Sequence, residues 1–351
     1  MGEPLDVLIV GLGQMGKSHA RGYQKLDGWN ISGIVARDRA KWASIAEEFL
    51  EARLFDDFAT ALAELKPDAV SVNTYPDSHG AYAIAAMEAG AHVFVEKPLA
   101  STLEDAQRMV DAAKRHNRKL VVGYILNHHP AWKKFVEFAR QTGTPKVMRM
   151  NLLQQSSGEA WAIHKKMLGA GLQPIVDCGI HYVEIMCQMT QSRPVKVNAM
   201  GVRLSAEVAI NNYGQLQLEF DDGSIGWYEA AYGPSISETA FFVKDVFGPD
   251  GSVSIANKPP EPRSDGKISA SAEIEGHTQA DYLLVHRAAL DDDGAFAAQV
   301  VWVEIEDNAE HEELCVRDQA HLYEAFVHDL DLSAPLDRDL ANMRIGPAAY
   351  E

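Results

Sequence analysis

The chain has 351 residues, 46% hydrophobic and 23% charged, the composition of a soluble globular protein too long for one ordinary core. Its 32 Lys and Arg against 50 Asp and Glu give a net charge of −18, a surface that repels nucleic acid and anionic membranes and speaks against both as partners. No apolar run reaches the roughly 18 residues a bilayer span requires, and Cys178, Cys187 and Cys315, odd in number and without a CxxC pair, suggest neither a disulfide framework nor a zinc site.

The first residues, MGEPLDVLIVG, carry acids where a signal peptide carries positive charge. They fit a myristoylation pattern only loosely, because Asp6 stands where Ser or Thr is required, and the expectation is a cytoplasmic protein. LDVLIVG (5–11) reads as a continuous apolar strand, followed by a helix over 15–26. NISGIVA (30–36) is a second strand, KWASIAEEFLEA (41–52) an amphipathic helix and ATALAELK (59–66) a further helix. DAVSVNT (68–74) is a strand, SHGAYAIAAMEAG (78–90) a helix closed by Gly90, and HVFVEKPLA (92–100) the next strand, halted by Pro98. A helix over 102–117, capped by Ser101 or Thr102, and the strand KLVVGYI (119–125) complete the series. Strands separated by helices of this length mean βαβ units and a doubly wound parallel sheet, a Rossmann domain over 1–125.

Past residue 126 the texture changes. Strands with hairpin spacing are expected at 194–204, 214–232, 240–255 and 299–307, with DDG and GPDG turns between apolar alternations, and helices around 174–190 and 317–330. The Pro-, Ser-, Lys- and Glu-rich segment 256–280 reads as a surface loop. The expectation is an α+β domain over 126–351 with a large, mostly antiparallel open sheet.

Between the first strand and its helix stands GLGQMG, the full G-x-G-x-x-G in its confirming context. Gly11 permits the tight turn, Gly13 lets backbone approach a pyrophosphate, Gly16 allows close helix–strand packing, and the helix N-terminus offers N–H groups to the phosphates. At the end of the second strand, VARDR leaves NAD and NADP both open. Arg37 can clamp a 2′-phosphate, or stack on adenine while Asp38 takes the ribose diol.

Ligands of open α/β sheets sit at the carboxyl ends of the strands, where Lys97 stands with Thr74 and Pro76 of NTYPDSH. A lysine there can lose its proton or stay charged and polarise a substrate oxygen, with Glu96 to tune it and Pro98 to set the chain direction, cis or trans. In PIVDCGIHYVEIM (174–186), Asp177 and His181 are four apart and share a helix face, with Gly179 between them clearing space for a ligand or the cofactor ring. His is the side chain best matched to moving a proton near neutral pH. No third ligand accompanies the pair, so a metal is not expected.

GLGQMG, NTYPDSH, VEKPLA and DCGIHYVE, in this order and at these distances, resemble the glucose-fructose oxidoreductase/inositol dehydrogenase (Gfo/Idh/MocA) family over essentially the whole chain. The resemblance implies an NAD- or NADP-dependent dehydrogenase acting on a carbohydrate or polyol hydroxyl, with Lys97, Asp177 and His181 as the catalytic group. It places Gly11, Gly13, Gln14, Met15, Gly16, Arg37, Asp38, Thr74, Pro76, His79, Glu96 and Lys97 at the cofactor. It places Lys97, Tyr124, Asn127, His128, Trp161, Asp177 and His181 at the substrate, with Trp161 and His164 as a pocket wall. It further implies a homodimer or homotetramer built through the C-terminal sheet. Two departures bear on specificity. ILNHHP puts Asn127 and His128 where the family often carries an arginine and an aromatic ring, which suits an uncharged sugar better than an anionic one. GAGLQPIVD carries two extra residues before the aspartate, which reshapes the pocket.

The leading expectation is oxidation of an aldose, a hexose, pentose or branched pentose such as apiose, at its anomeric carbon to a lactone. Inositol-type ring oxidation and reduction of a keto-sugar or imine are the alternatives. A non-catalytic sensor would be expected to lack Lys97 or His181, and both are present.

Overall fold

A computed structural model describes residues 3–237, 242–256 and 280–345. The chain divides into two compact units, Met1–Ile125 with Glu310–Met343, and Leu126–Ala309 with Arg344–Glu351.

In the first unit strands and helices alternate: β1 (Leu5–Val10), α1 (Gln14–Gln24), β2 (Trp29–Val35), α2 (Trp42–Glu48), β3 (Arg53–Phe55), α3 (Phe58–Leu65), β4 (Ala69–Val72), α4 (Pro76–Glu88), β5 (His92–Glu96), α5 (Leu103–His116) and β6 (Leu120–Gly123). The six strands pair in parallel in the order β3-β2-β1-β4-β5-β6. All five residues of β5 and all four of β4 are buried, as parallel strands covered on both faces require. The order reverses direction after β1, which sets the glycine turn and the tips of β4 and β5 side by side. Thr102 caps α5 by accepting the Asp105 N–H, and Asn117 closes it in the left-handed region.

The second unit holds α6 (Pro130–Arg140), β7 (Val147–Gln155), α7 (Gly158–Gly169), α8 (Pro174–Asp177), α9 (Gly179–Thr190), β8 (Pro194–Val202), β9 (Tyr213–Phe220), β10 (Ile225–Gly233), β11 (Lys244–Gly248), β12 (Gly251–Ala256), β13 (Tyr282–Arg287) and β14 (Val301–Glu304). Its eight strands run in the order β14-β13-β12-β11-β7-β10-β9-β8, antiparallel throughout except for the parallel pair β7 and β10. Trp132, Phe135, Tyr182, Ile185 and Met186 from the helices pack on Met148, Met150, Leu216, Leu218, Tyr228 and Val246 of the inner face. Full burial of each aliphatic side chain contributes about 1.5–3 kcal/mol. The GPDG turn joins β11 to β12, and Gly223 in DDG has φ +83°, the left-handed conformation that such hairpin turns favour.

Several elements lie beyond the sequence expectations. The central strand β7, helices α6 and α7, and strands β3 and β13 were not among them. The helix expected over 174–190 is two segments with Cys178 between them. Part of the strand expected at 240–255 and nearly all of the loop expected at 256–280 lie outside the described residues.

The last two helices, α10 (His311–Val327) and α11 (Ser333–Met343), return to the first unit rather than completing the second, as a boundary at 125/126 implied. Leu322 and Ala325 enter the core around β1 and β2, and the Trp29 indole donates to the Gln319 carbonyl at 3.2 Å. A Cβ at Gly22 would lie 3.2 Å from the Cys315 backbone, so α1 is bare where α10 crosses it. An apolar helix face gives no sign of which unit it covers, and this return is a tertiary choice.

Candidate active site

The glycine turn divides its work among three positions. Gly11 has φ +86°, and a Cβ there would meet the Asn73 carbonyl oxygen at 2.8 Å and Thr74 at 2.9 Å. A Cβ at Gly16 would sit 2.2 Å from the Gly11 carbonyl oxygen. At Gly13 it would meet nothing within 4 Å. Gly13 is also the N-cap of α1, makes no side-chain cap, and is followed by a first turn without an acidic residue. The helix therefore presents its first N–H groups and partial positive charge across open space, with Gln14 and Met15 beginning that turn. This cradle fits the pyrophosphate of a dinucleotide.

At the end of β2, Arg37 and Asp38 are both exposed. The Asp38 carboxylate accepts the Ala40 N–H at 3.2 Å and so caps a short turn over Arg39–Lys41. At the end of β4, Thr74 bonds Ser78 at 2.7 Å and Pro76 opens α4. His79 is fully buried, with Nε2 3.0 Å from the Thr74 carbonyl and Nδ1 3.0 Å from the Pro98 carbonyl. It thus ties the β4 tip to the β5 tip. Burial lowers its pKa, against the pull of those carbonyls.

Lys97 is half-buried at the tip of β5, and its peptide bond to Pro98 is cis. Glu96 is only 6% exposed and turns inward. Its Oε1 lies 2.5 Å from His19 Nε2 and its Oε2 accepts the Lys97 N–H at 3.1 Å. Tyr124, at the end of β6, is buried.

In the second unit Asp177 ends α8 and is 8% exposed, while His181 is half-buried on the first turn of α9, its backbone N–H donating to the Cys178 carbonyl at 3.2 Å. The Tyr232 hydroxyl donates to Asp177 Oδ2 at 2.8 Å. With that proton committed, the Cys178 thiol, 2.9 Å away, donates to the phenol oxygen. Burial, then the Asp177 charge, hold the Tyr232 phenol well above its ordinary range, so it remains a neutral donor. His164 stacks flat on Tyr232, ring centroids 4.1 Å apart at 12°, and burial keeps it neutral by lowering its pKa. Asn127 accepts from Gln188 at 2.8 Å, and His128 beside it is half-buried. Trp161 packs in a cluster with Leu168, Val208 and Tyr232 and donates to Glu207 at 3.2 Å. Gly179 does not clear space for a ligand as expected: a Cβ there would lie 3.1 Å from the Tyr228 ring, which occupies that place.

Tyr232, His19 and Gln319 are the residues that sequence reading overlooked. Alternation along β10 sets Tyr228, Ala230 and Tyr232 on one buried face, and helical spacing sets His19 with Gly16 and Tyr23, so both left a signal in the pattern. Gln319 left none. Among the described residues no group of three or more His, Cys, Asp or Glu is placed to hold a metal, and no helix is long and apolar enough to cross a membrane.

Residues 5–124 match the pattern of the Gfo/Idh/MocA oxidoreductase family, described as an NAD-binding Rossmann fold, and residues 136–253 match the C-terminal domain of the same family. UDP-N-acetylglucosamine 3-dehydrogenase of Acidithiobacillus ferrooxidans is 30% identical over 196 residues, which cover 55% of this chain and 57% of that protein. Inositol 2-dehydrogenase of Serratia proteamaculans is 28% identical over 271 residues, 74% of this chain and 75% of that protein. In fold the chain is similar to GenD2 from gentamicin A biosynthesis in complex with NAD, with a TM-score of 0.75 at 23% identity over 100% of this chain and 94% of that one.

Proposed function

The chain belongs to the Gfo/Idh/MocA family of oxidoreductases and is an NAD-dependent dehydrogenase, and from that premise we propose that it oxidises a ring hydroxyl of an uncharged sugar or cyclitol. The observation that carries the substrate class is the Asp177–Tyr232 pair: a buried carboxylate steadied by a neutral phenol is an acceptor for hydroxyl groups and repels an anion. Asn127 and His128 add neutral donors and acceptors. The two sequence relatives bear names of 3- and 2-dehydrogenases, which favours a secondary ring carbon over the anomeric carbon of an aldose as the point of attack.

Gly11, Gly13 and Gly16 and the first turn of α1 would hold the pyrophosphate, and Asp38 the adenosine ribose. NAD, when bound, supplies the hydride acceptor. In the proposed chemistry His181 takes the proton of the reacting hydroxyl, and Lys97 hydrogen-bonds the same oxygen as negative charge grows on it. Asp177 accepts from a neighbouring hydroxyl and fixes which face of the ring is presented. The exposed outer face of the C-terminal sheet is the proposed homo-oligomer contact.

A panel of inositols, alkyl glycosides and free aldoses offered with NAD and with NADP tests the assignment. Reduced nicotinamide formed with a cyclitol or glycoside supports it. Turnover confined to free aldoses would instead restore the lactone-forming reaction.

A further inference from the structure

Behind the tip of β5 lies a row of buried polar side chains that the chemistry above does not use. His19 on α1 and Gln319 on α10 are fully buried, and Glu96 nearly so. Gln319 Nε2 lies 2.8 Å from His19 Nδ1. An amide nitrogen can only donate, so Nδ1 accepts, and the ring proton sits on Nε2, 2.5 Å from Glu96 Oε1. Glu96 Oε2 in turn takes the backbone N–H of Lys97.

Each member of the row is held by something else. The Trp29 indole donates to the Gln319 backbone carbonyl, and bare Gly22, three residues past His19, admits α10 to within reach. The His19 ring rests on Phe94 at 4.7 Å. Other titratable groups face the same space. Burial, reinforced by the Glu96 charge, holds the Asp318 carboxyl well above the usual carboxylate range. Burial likewise lowers His311 and raises Cys315, and His79 lies within the field of Glu96. Glu96 receives N–H donors from both His19 and the lysine backbone.

We propose that Gln319 and His19 are positioning residues for Lys97, holding Glu96 as an ionised carboxylate that fixes the lysine's backbone and keeps its ammonium charged. The proposal rests on the reading of Lys97 as a catalytic residue. A C-terminal helix, remote in sequence from the cofactor turn, then reaches the chemistry through three hydrogen bonds in series.

The test follows Lys97 itself in the full-length protein. Reductive methylation with 13C-formaldehyde labels its amine, the signal is assigned by its loss in Lys97→Arg, and its titration is read by NMR. His19→Leu removes the donor to Glu96, which then takes up a proton, and the Lys97 midpoint is expected to fall by about half a pH unit or more. Gln319→Leu is expected to move it the same way. His19→Gln, which keeps an N–H toward Glu96, is expected to restore it, an outcome a merely structural role would not produce. An unchanged midpoint in both Leu variants overturns the proposal, and if His19→Leu does not fold, Gln319→Leu against His19→Gln decides it. Turnover in Lys97→Ala is a separate measurement. Its persistence would overturn the catalytic reading and leave the titration result to judge the pairing.

Discussion

In the proposed site the Asp177–Tyr232 contact would orient the substrate, and it is open to a single-atom test. Tyr232→Phe removes the hydroxyl that donates to Asp177 at 2.8 Å and leaves the ring that His164 stacks on. A hydrogen bond to a charged group contributes about 1.5–3 kcal/mol, so kcat/KM is expected to fall roughly tenfold or more with NAD affinity unchanged. Steady-state kinetics and an NAD titration on the same preparation would check this, and a variant with wild-type kcat/KM would contradict the role given to Tyr232. Lys244 offers a pH test in the core. It is buried beneath Phe242 and Tyr182, and burial lowers its ammonium to about 7 from 10.5. The unfolded chain keeps that proton up to the ordinary pKa while the folded chain releases it near 7. Between about pH 7 and 10.5 the unfolded state therefore binds more protons, and this residue makes stability rise with pH. Thermal melts across that window should show a smaller rise in Lys244→Met than in wild type, and identical slopes would refute the assignment.

Helix α1 and the glycine turn give predictions of opposite kind from neighbouring residues. Gly13→Ala places a methyl in open space, so the fold should be unaffected while NAD affinity falls about tenfold or more, because the methyl stands where the pyrophosphate would lie. Gly16→Ala drives a methyl into the Gly11 carbonyl and should destabilise the first unit. Calorimetry with and without NAD separates the two, and equal loss of stability in both would count against the cradle. These positions were legible in sequence because a backbone constraint leaves its mark in the residue type itself. Strands β1, β4 and β5 were legible for a related reason, since burial on both faces demands mostly apolar runs. The second unit was read less well. Strand β7, VMRMNLLQQ, interleaves polar residues, and its neighbours β10 and β11 lie far along the chain, so its place at the centre of the sheet is set by long-range register. Lys97, Asp177 and His181 are proposed from motif spacing. Gln319 meets His19 across 300 residues of sequence, and no local pattern announces it.

Across the whole molecule, the outer face of the eight-stranded sheet displays Val147, Met200, Ile225, Phe247 and Trp302, exposed by 38, 69, 48, 39 and 61%. Apolar surface of this extent is characteristic of an association face. Light scattering on the purified protein is expected to give a dimer or tetramer mass, and Ile225→Lys to reduce it. A monomeric wild type would contradict the association. Lys97 and His181 are proposed to carry the chemistry of an NAD-dependent sugar or cyclitol dehydrogenase. The most direct measurement is single-turnover formation of reduced nicotinamide in wild type, Lys97→Ala and His181→Ala, with the best substrate of the panel and saturating NAD. The single-turnover rate is expected to fall by about a hundredfold or more in each variant, the range for loss of acid–base catalysis, and near wild-type rates in both would contradict these roles.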